Sequence, residues 1–283
     1  MGTWSDSHVT IGGLNLSQHD LDNDVRWGID DIEGWGGTTA PTLSPKQRAR
    51  ASGAHAGDSF SAGRSVAITG WMKSPAADLL SLMEDRLNSA VSREPTLMTI
   101  VHKGRSRWAM VRRSGAVLWK EISPTFATWS IQVFSKDWRK FHAPLVGTTR
   151  LPSSSGGLQI PYTVPYSINA VVNAGQINLV NPGNESGPVL MRVDGPAAGP
   201  VITHVGSKQA LVFSSSLVLA AGEWLDIDME THKVLANGQA SRNGYITSRG
   251  WSAFEPGPNT WSLTAAAFDA ATLLTVTATP ADE

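Results

Sequence analysis

The segment Leu219–Gly238, LAAGEWLDIDMETHKVLANG, constrains the fold more than any other stretch of the chain. Leu225, Ile227 and Met229 alternate with Trp224, Asp226 and Asp228. A period of two requires a strand with one buried and one wet face. After the polar break Glu230–His232 comes Lys233-Val234-Leu235-Ala236, then Asn237-Gly238, the dipeptide most favoured in a type I′ turn. A lone hairpin is marginal in water, so the rest of the chain must supply a sheet for this one to join.

Composition agrees with a sheet protein. Only 17% of the 283 residues are charged, against 27 glycines and 16 prolines, which favours strands and turns over long helices. The length accommodates one large or two ordinary domains. Lys and Arg concentrate before residue 146, whereas Asp and Glu outnumber them afterwards, as two domains of different surface charge would require. A net charge of -1 disfavours a general nucleic-acid binder. With no cysteine, disulfides, Cys-ligated zinc, iron–sulfur clusters and Cys nucleophiles are excluded. No apolar run reaches membrane-spanning length. MGTWSDSHVT lacks the basic region and apolar core of a signal peptide, so none is expected.

Along the front half, His8–Leu14 reads as a strand turning at Gly12-Gly13, and Val25, Trp27 and Ile29 mark a second strand face. Acidic residues gather around it: Asp20, Asp22, Asp24, Asp30, Asp31 and Glu33. They read as a solvated edge or as a subunit-contact surface. Residues 41–58, poor in large apolar side chains, read as a long loop. Phe60–Trp71 returns to strand character. Ser74–Ala90 is the one clear helix, with Ser74 as N-cap, Pro75 at the first helical position, and Ala76, Leu79, Leu80, Met83 and Leu87 on one face. Asp78 and Arg86 suit the two ends of its dipole. Four strands are expected next, at 96–101, 107–113, 115–122 and 128–134. Lys103, Arg105, Arg107, Arg112 and Arg113 surround Trp108 there. They are read as contacts answering an acidic surface such as residues 20–33, not as a nucleic-acid face.

Residues 145–165 are rich in Gly, Ser, Pro and Thr and are read as a crossing segment. The domains are accordingly 1–145 and 167–283, with 146–166 as linker. The rear domain reads as short strands with turn signals every few residues, which implies a β-sandwich or jelly roll and a mainly β protein overall.

Motifs for chemistry are scarce. Asp226, Asp228 and Glu230 share a strand pattern, yet no calcium loop surrounds them, and alternating acids also suit a wet strand face. None of the seven histidines sits in HExxH or at a zinc-like spacing, and His204 lies inside a strand pattern. GxSxG, GxxxxGK[ST] and GxGxxG are missing. No cofactor, metal or enzymatic activity is expected. Trp224, Trp251 or Trp261 could stack on a sugar, or fill the core.

Three segments carry a resemblance. They are Gln176-Ile177-Asn178-Leu179-Val180-Asn181-Pro182-Gly183 with Gly187–Gly195, then Gly222-Glu223-Trp224-Leu225-Asp226-Ile227-Asp228 with Val234–Gly238, and Trp251–Asn259. In this order and spacing the rear half resembles the siphophage distal tail protein (Dit) family, the siphovirus-type tail components. In the front half, Gly63-Arg64 before Val66–Gly70, the helix, and Trp129–Phe141 resemble the same family. Asp137-Trp138-Arg139 stands where many relatives carry Asp-Pro-Arg. The resemblance covers roughly three quarters of the chain and omits residues 41–58. It implies a split-barrel-like, tail-tube-related N-terminal domain that closes into a hexameric ring, and a galectin-like C-terminal sandwich. It also implies a structural hub at the distal end of the phage tail, joining the tube to the baseplate or tail tip. The implied partners are copies of itself, the tail tube protein, the tail-associated hub protein, the tape measure protein and receptor-binding proteins. The competing expectation is a carbohydrate-binding module for host-surface adhesion, using Trp224 and Trp251.

Overall fold

A computed structural model of the chain describes residues 4, 6–21, 23–150, 153–155, 171–173 and 175–283. They form two compact units, Met1–His142 with Glu283, and Ala143–Asp282. No described helix is long and apolar enough to cross a membrane.

The first unit is a curled antiparallel sheet that carries one helix. Its strands follow in the order Leu14–Asn15, His8–Ile11, Thr96–His102, Arg105–Arg113, Phe126–Ser135, Arg64–Lys73, Val25–Glu33 and His19–Asp20. Leu118–Ser123 pairs with Phe126–Ser135, and Lys140–Phe141 with Arg105–Arg113. Arg64–Lys73 is the spine. It pairs along its whole length with Phe126–Ser135 and over most of it with Val25–Glu33. Gly12 and Gly13 both adopt positive φ between paired Ile11 and Leu14, the tight turn expected from the sequence.

Alternation is strict along 64–73, but in Val25–Glu33 it slips by one after Ile29. Ile29 faces Gly70 and Asp31 faces Thr69, so Asp30 is bulged, and Ile32 rather than a residue in the old phase returns to the core.

The helix spans Ala77–Ala90 and buries Leu80, Met83, Leu87 and Ala90. The three large side chains join the cluster of Val9, Ile11, Ile68, Met98 and Ile100, and each contributes about 1.5–3 kcal/mol of burial. The start expected at Ser74-Pro75 is corrected. Ala76, the actual N-cap, is extended at φ -143 and ψ 152, which leaves Pro75 outside the helix. The Ser74 hydroxyl instead accepts the Ala76 N–H at 3.1 Å, while the Ser74 N–H donates to the Thr125 carbonyl at 2.9 Å. No basic residue lies in the last turn, so Arg86 does not meet the dipole's negative end there.

Residues 41–58, expected to be a loop, are part of a thin β arm. Pro41–Leu43 pairs with Ser59–Ser61, and Lys46–Gln47 with Ala54–His55. Every residue from 40 to 62 is exposed, so hydrogen bonds between short rungs hold the arm and no core does. Phe60 belongs to this arm, and the spine strand begins four residues later than its sequence reading.

The second unit is a sandwich of two antiparallel sheets. One runs Leu145–Arg150, Leu273–Ala278, Val189–Asp194, Trp224–Asp228, Lys233–Ala236, Ala240–Ser241. The other runs Gln176–Asn181, Gly257–Phe268, Ala197–His204, Gln209–Phe213, Ile246–Arg249, with Val218–Leu219 beside Ala197–Ala198. Their inward residues, among them Met191, Leu225, Ile227, Leu274, Phe213, Trp261 and Leu263, form one core. Leu145–Arg150, which the sequence placed in the crossing segment, is an edge strand of the first of these sheets. The sequence reading of 151–152 and 156–166 lies outside the described residues.

Leu219–Gly238 is a meander rather than a single hairpin. Trp224–Asp228 pairs with Lys233–Ala236, which pairs in turn with Ala240–Ser241. Asn237 and Gly238 have φ of 50 and 69, and the Gln239 N–H closes on the Ala236 carbonyl at 3.0 Å, as a type I′ turn requires. Leu225, Ile227 and Met229 are buried as expected.

Candidate functional surfaces

Two of the front unit's acidic residues, Asp20 and Asp24, are engaged locally. Asp24 Oδ1 lies 2.6 Å from His19 Nε2 and 3.6 Å from an Arg26 guanidinium nitrogen. The His19 hydrogen bond, helped by Arg26, holds the Asp24 carboxyl below its ordinary range. Asp20 accepts the Asn23 side-chain amide at 3.0 Å. Asp22 lies outside the described residues.

The basic run does not form one patch. Ala109 and Val111 point to the core, so Arg105, Arg107 and Arg113 share their side of the strand, and Arg112 lies on the other with Met110 and Trp108. The Trp108 indole N–H donates to the His142 carbonyl at 2.8 Å, and its ring packs on Phe141 at 4.9 Å.

Two surfaces missed in the sequence present unsatisfied packing instead. Leu118–Ser123 has a strand neighbour on one side only and exposes Leu118 (60%) and Ile122 (56%) around Lys120, while Trp119 turns inward beside Trp27. An exposed apolar edge strand is a template for pairing with another chain. The arm exposes Leu43 (59%) and Phe60 (68%) together with Lys46, Arg48 and Arg50. Brief trypsin treatment of the isolated protein is expected to cut first between 46 and 50, read by mass spectrometry of the two fragments. A first cut elsewhere would show that the arm is covered.

The arm springs from a buried cationic clamp. Arg64 is 2% exposed; its Nε donates to the Trp138 carbonyl at 3.0 Å, and one terminal nitrogen reaches the Gly34 and Gly37 carbonyls at 2.9 and 3.3 Å. Its other terminal nitrogen has no partner among the described residues. Burial pulls the Arg64 guanidinium below its usual range, and Glu283 opposes that shift. Lys140, equally buried, donates to the Trp35 carbonyl at 3.2 Å and to the same Gly37 carbonyl at 3.3 Å. Gly34 must be glycine: its φ is 77, and a Cβ would stand 2.1 Å from the Ser65 carbonyl oxygen. Arg139 completes the segment, paired through one guanidinium edge with both Asp137 carboxylate oxygens at 2.9 and 2.8 Å. DWRKF is thus the seat of this clamp. That role was invisible in the sequence, because a cation held by distant carbonyls leaves no local pattern.

His102 bonds the Ser7 hydroxyl at 2.7 Å and lies under Trp4 with ring centres 4.2 Å apart. Burial, then Lys103 and Arg107, lowers its pKa below 6.5. The folded chain therefore binds fewer protons than the unfolded one below that value, and stability falls as pH drops from 6.5 toward the lowered folded value. Thermal melts between about pH 7.5 and 5.5 are expected to show this loss, and His102→Gln to flatten it. An unchanged slope in the variant would assign the loss elsewhere.

In the second unit the three tryptophans separate. Trp261 is fully buried and donates to Ser252 Oγ at 3.1 Å, which removes it from the sugar platform. Trp251 is stacked under His232, 4.6 Å between centres at 18°. Trp224 lies on the outer sheet face with Arg192 4.4 Å above its ring. Of the three acids, Glu230 leaves the strand: its N–H caps Asp228 Oδ1 in the following turn. Among the described residues no cluster of three or more acids or histidines could hold a metal. His204 is structural, buried between Ser207 and Asn259.

No family model and no curated protein sequence matches the chain. Solved structures do. The Dit protein of phage SPP1, described as a paradigm of the hub adsorption apparatus in Gram-positive-infecting phages, matches with a TM-score of 0.66. The match covers 97% of this chain and 98% of that one at 10% identity. The chain has the fold of that Dit protein. A chain of the phage P2 baseplate, in its activated conformation with Ca, matches with a TM-score of 0.50 over 96% and 97% of the two chains, again at 10% identity. At such identity the likeness carries architecture, and residue roles rest on the contacts described above.

Proposed function

We propose that this chain is a structural distal-tail protein of a siphophage, closing as a ring of six through its first unit and joining the tail tube to the baseplate or tail tip. The observation that carries this reading is the end-to-end likeness to the SPP1 Dit protein, which takes in both units. The edge strand Leu118–Ser123 and the coreless arm support it, because both leave apolar groups that only a neighbouring chain can cover. Tail tube, tape measure and tail-associated hub proteins are the expected partners, with receptor-binding proteins beyond them, and the role is non-catalytic. Native mass spectrometry of the purified protein should give six times the 30.2 kDa chain mass, alone or with the tube protein. A species that stays monomeric in both conditions would sink the reading.

A further inference from the structure

The outer face of the sheet containing Trp224–Asp228 carries a hollow of about 420 Å³, within the range of small-molecule sites. Strand register lays its lining out as a grid. Thr275, Arg192, Asp226 and Leu235 stand side by side across four strands, and Leu190 lies one row along, opposite Thr277 and Asp228. Neighbours across such a grid are about 4.8 Å apart, so hydrogen-bonding groups alternate with carbon at close intervals.

The polar members hold one another in place. Arg192 Nε donates to Asp194 Oδ1 at 2.8 Å, its guanidinium covers Trp224, and the Trp224 indole N–H donates to Asp226 Oδ2 at 2.9 Å. This leaves the terminal nitrogens of Arg192, Asp226 Oδ1 and the hydroxyl of Thr275 without a partner among the described residues, on groups that line the hollow. Donors and acceptors are both on offer. The charges of Arg192 and Lys233 balance those of Asp226 and Asp228, so the lining does not favour a charged ligand of either sign. Leu190 and Leu235 supply apolar contact between them.

From this arrangement we propose that the hollow binds a neutral saccharide, whose hydroxyls both donate and accept and whose ring faces present C–H groups. The site is independent of the ring-forming role proposed above, and either can fail without the other. It differs from the platform expected in the sequence: Arg192, Asp226 and Thr275 do the recognition, Trp224 orients them, and Trp251, already covered by His232, takes no part.

The test is calorimetric titration of the full chain with lactose, maltose, cellobiose and diacetylchitobiose, each to about 10 mM. At least one should bind saturably. Arg192→Ala and Thr275→Val, the second keeping the side chain's shape, should each weaken that binding by about tenfold or more with unchanged thermal melts. Trp251→Phe should leave it as it was. Failure of all four sugars to bind, or binding that survives both substitutions, overturns the proposal. So does burial of Leu190 and Lys233 against another protein in assembled tails.

Discussion

Replacing Leu118 and Ile122 together by Glu is expected to leave the chain folded but unable to assemble. Both side chains are more than half accessible, and neither belongs to the core of the first unit. Two carboxylates there cost the monomer little, since surface changes fall within about 0.5 kcal/mol. In a ring the same positions would be desolvated at every joint, and an unpaired buried charge costs several kcal/mol. With one such joint per subunit the penalty repeats around the ring. Native mass should drop to 30.2 kDa while the melting temperature holds. A variant that still forms the large species would move the interface away from Leu118–Ser123, and one that unfolds would show that the strand is integral to the monomer.

Arg64→Ala is expected to destabilise the first unit by about 3–5 kcal/mol, a large share of the 5–15 kcal/mol typical of a domain. The loss has two parts. The Trp138 and Gly34 carbonyls lose their side-chain donor inside the protein, at about 1–3 kcal/mol each. A cavity then opens where the fully buried Arg64 side chain stood. Gly37 suffers less, because Lys140 still serves its carbonyl. Arg64→Lys should recover only part of the loss, because one ammonium cannot span carbonyls that the flat guanidinium reaches from two edges. Urea unfolding reads the effect as a shift in midpoint, and a shift under 1 kcal/mol would mean that water replaces the guanidinium.

The strands of both units were legible because burial imposes a period of two, which Leu225, Ile227 and Met229 or Val66 and Ile68 display openly. Asp30 shows where this fails. One extra residue shifted the phase of Val25–Glu33, and a bulge depends on the partner strand, which no local window contains. Ser74-Pro75 looked like a helix start because its residue types fit one; the pull of Thr125 on the Ser74 backbone came from a turn fifty residues away. The arm reads as a loop in the sequence because its rungs bury nothing. For the surfaces, the tryptophans were visible but their cover was not, since Arg192 reaches Trp224 and His232 reaches Trp251 through sheet register and turn geometry. The Arg64 clamp was the least legible feature, because Lys and Arg are normally read as solvent-facing.

The doubly held Gly37 carbonyl also has a mechanical meaning. The arm has no core along its length but starts two residues after Thr39, whose N–H and hydroxyl both donate to Glu283 at 3.2 and 3.3 Å. Its other limb enters Arg64 directly, and Arg64 opens the spine strand, which is paired with Ser135 there and has neighbours on both flanks from Ala67 onward. A load applied at Phe60 or Lys46 is therefore not absorbed by a slack tether. It arrives at a stiff fulcrum and is passed into the spine strand of the sheet.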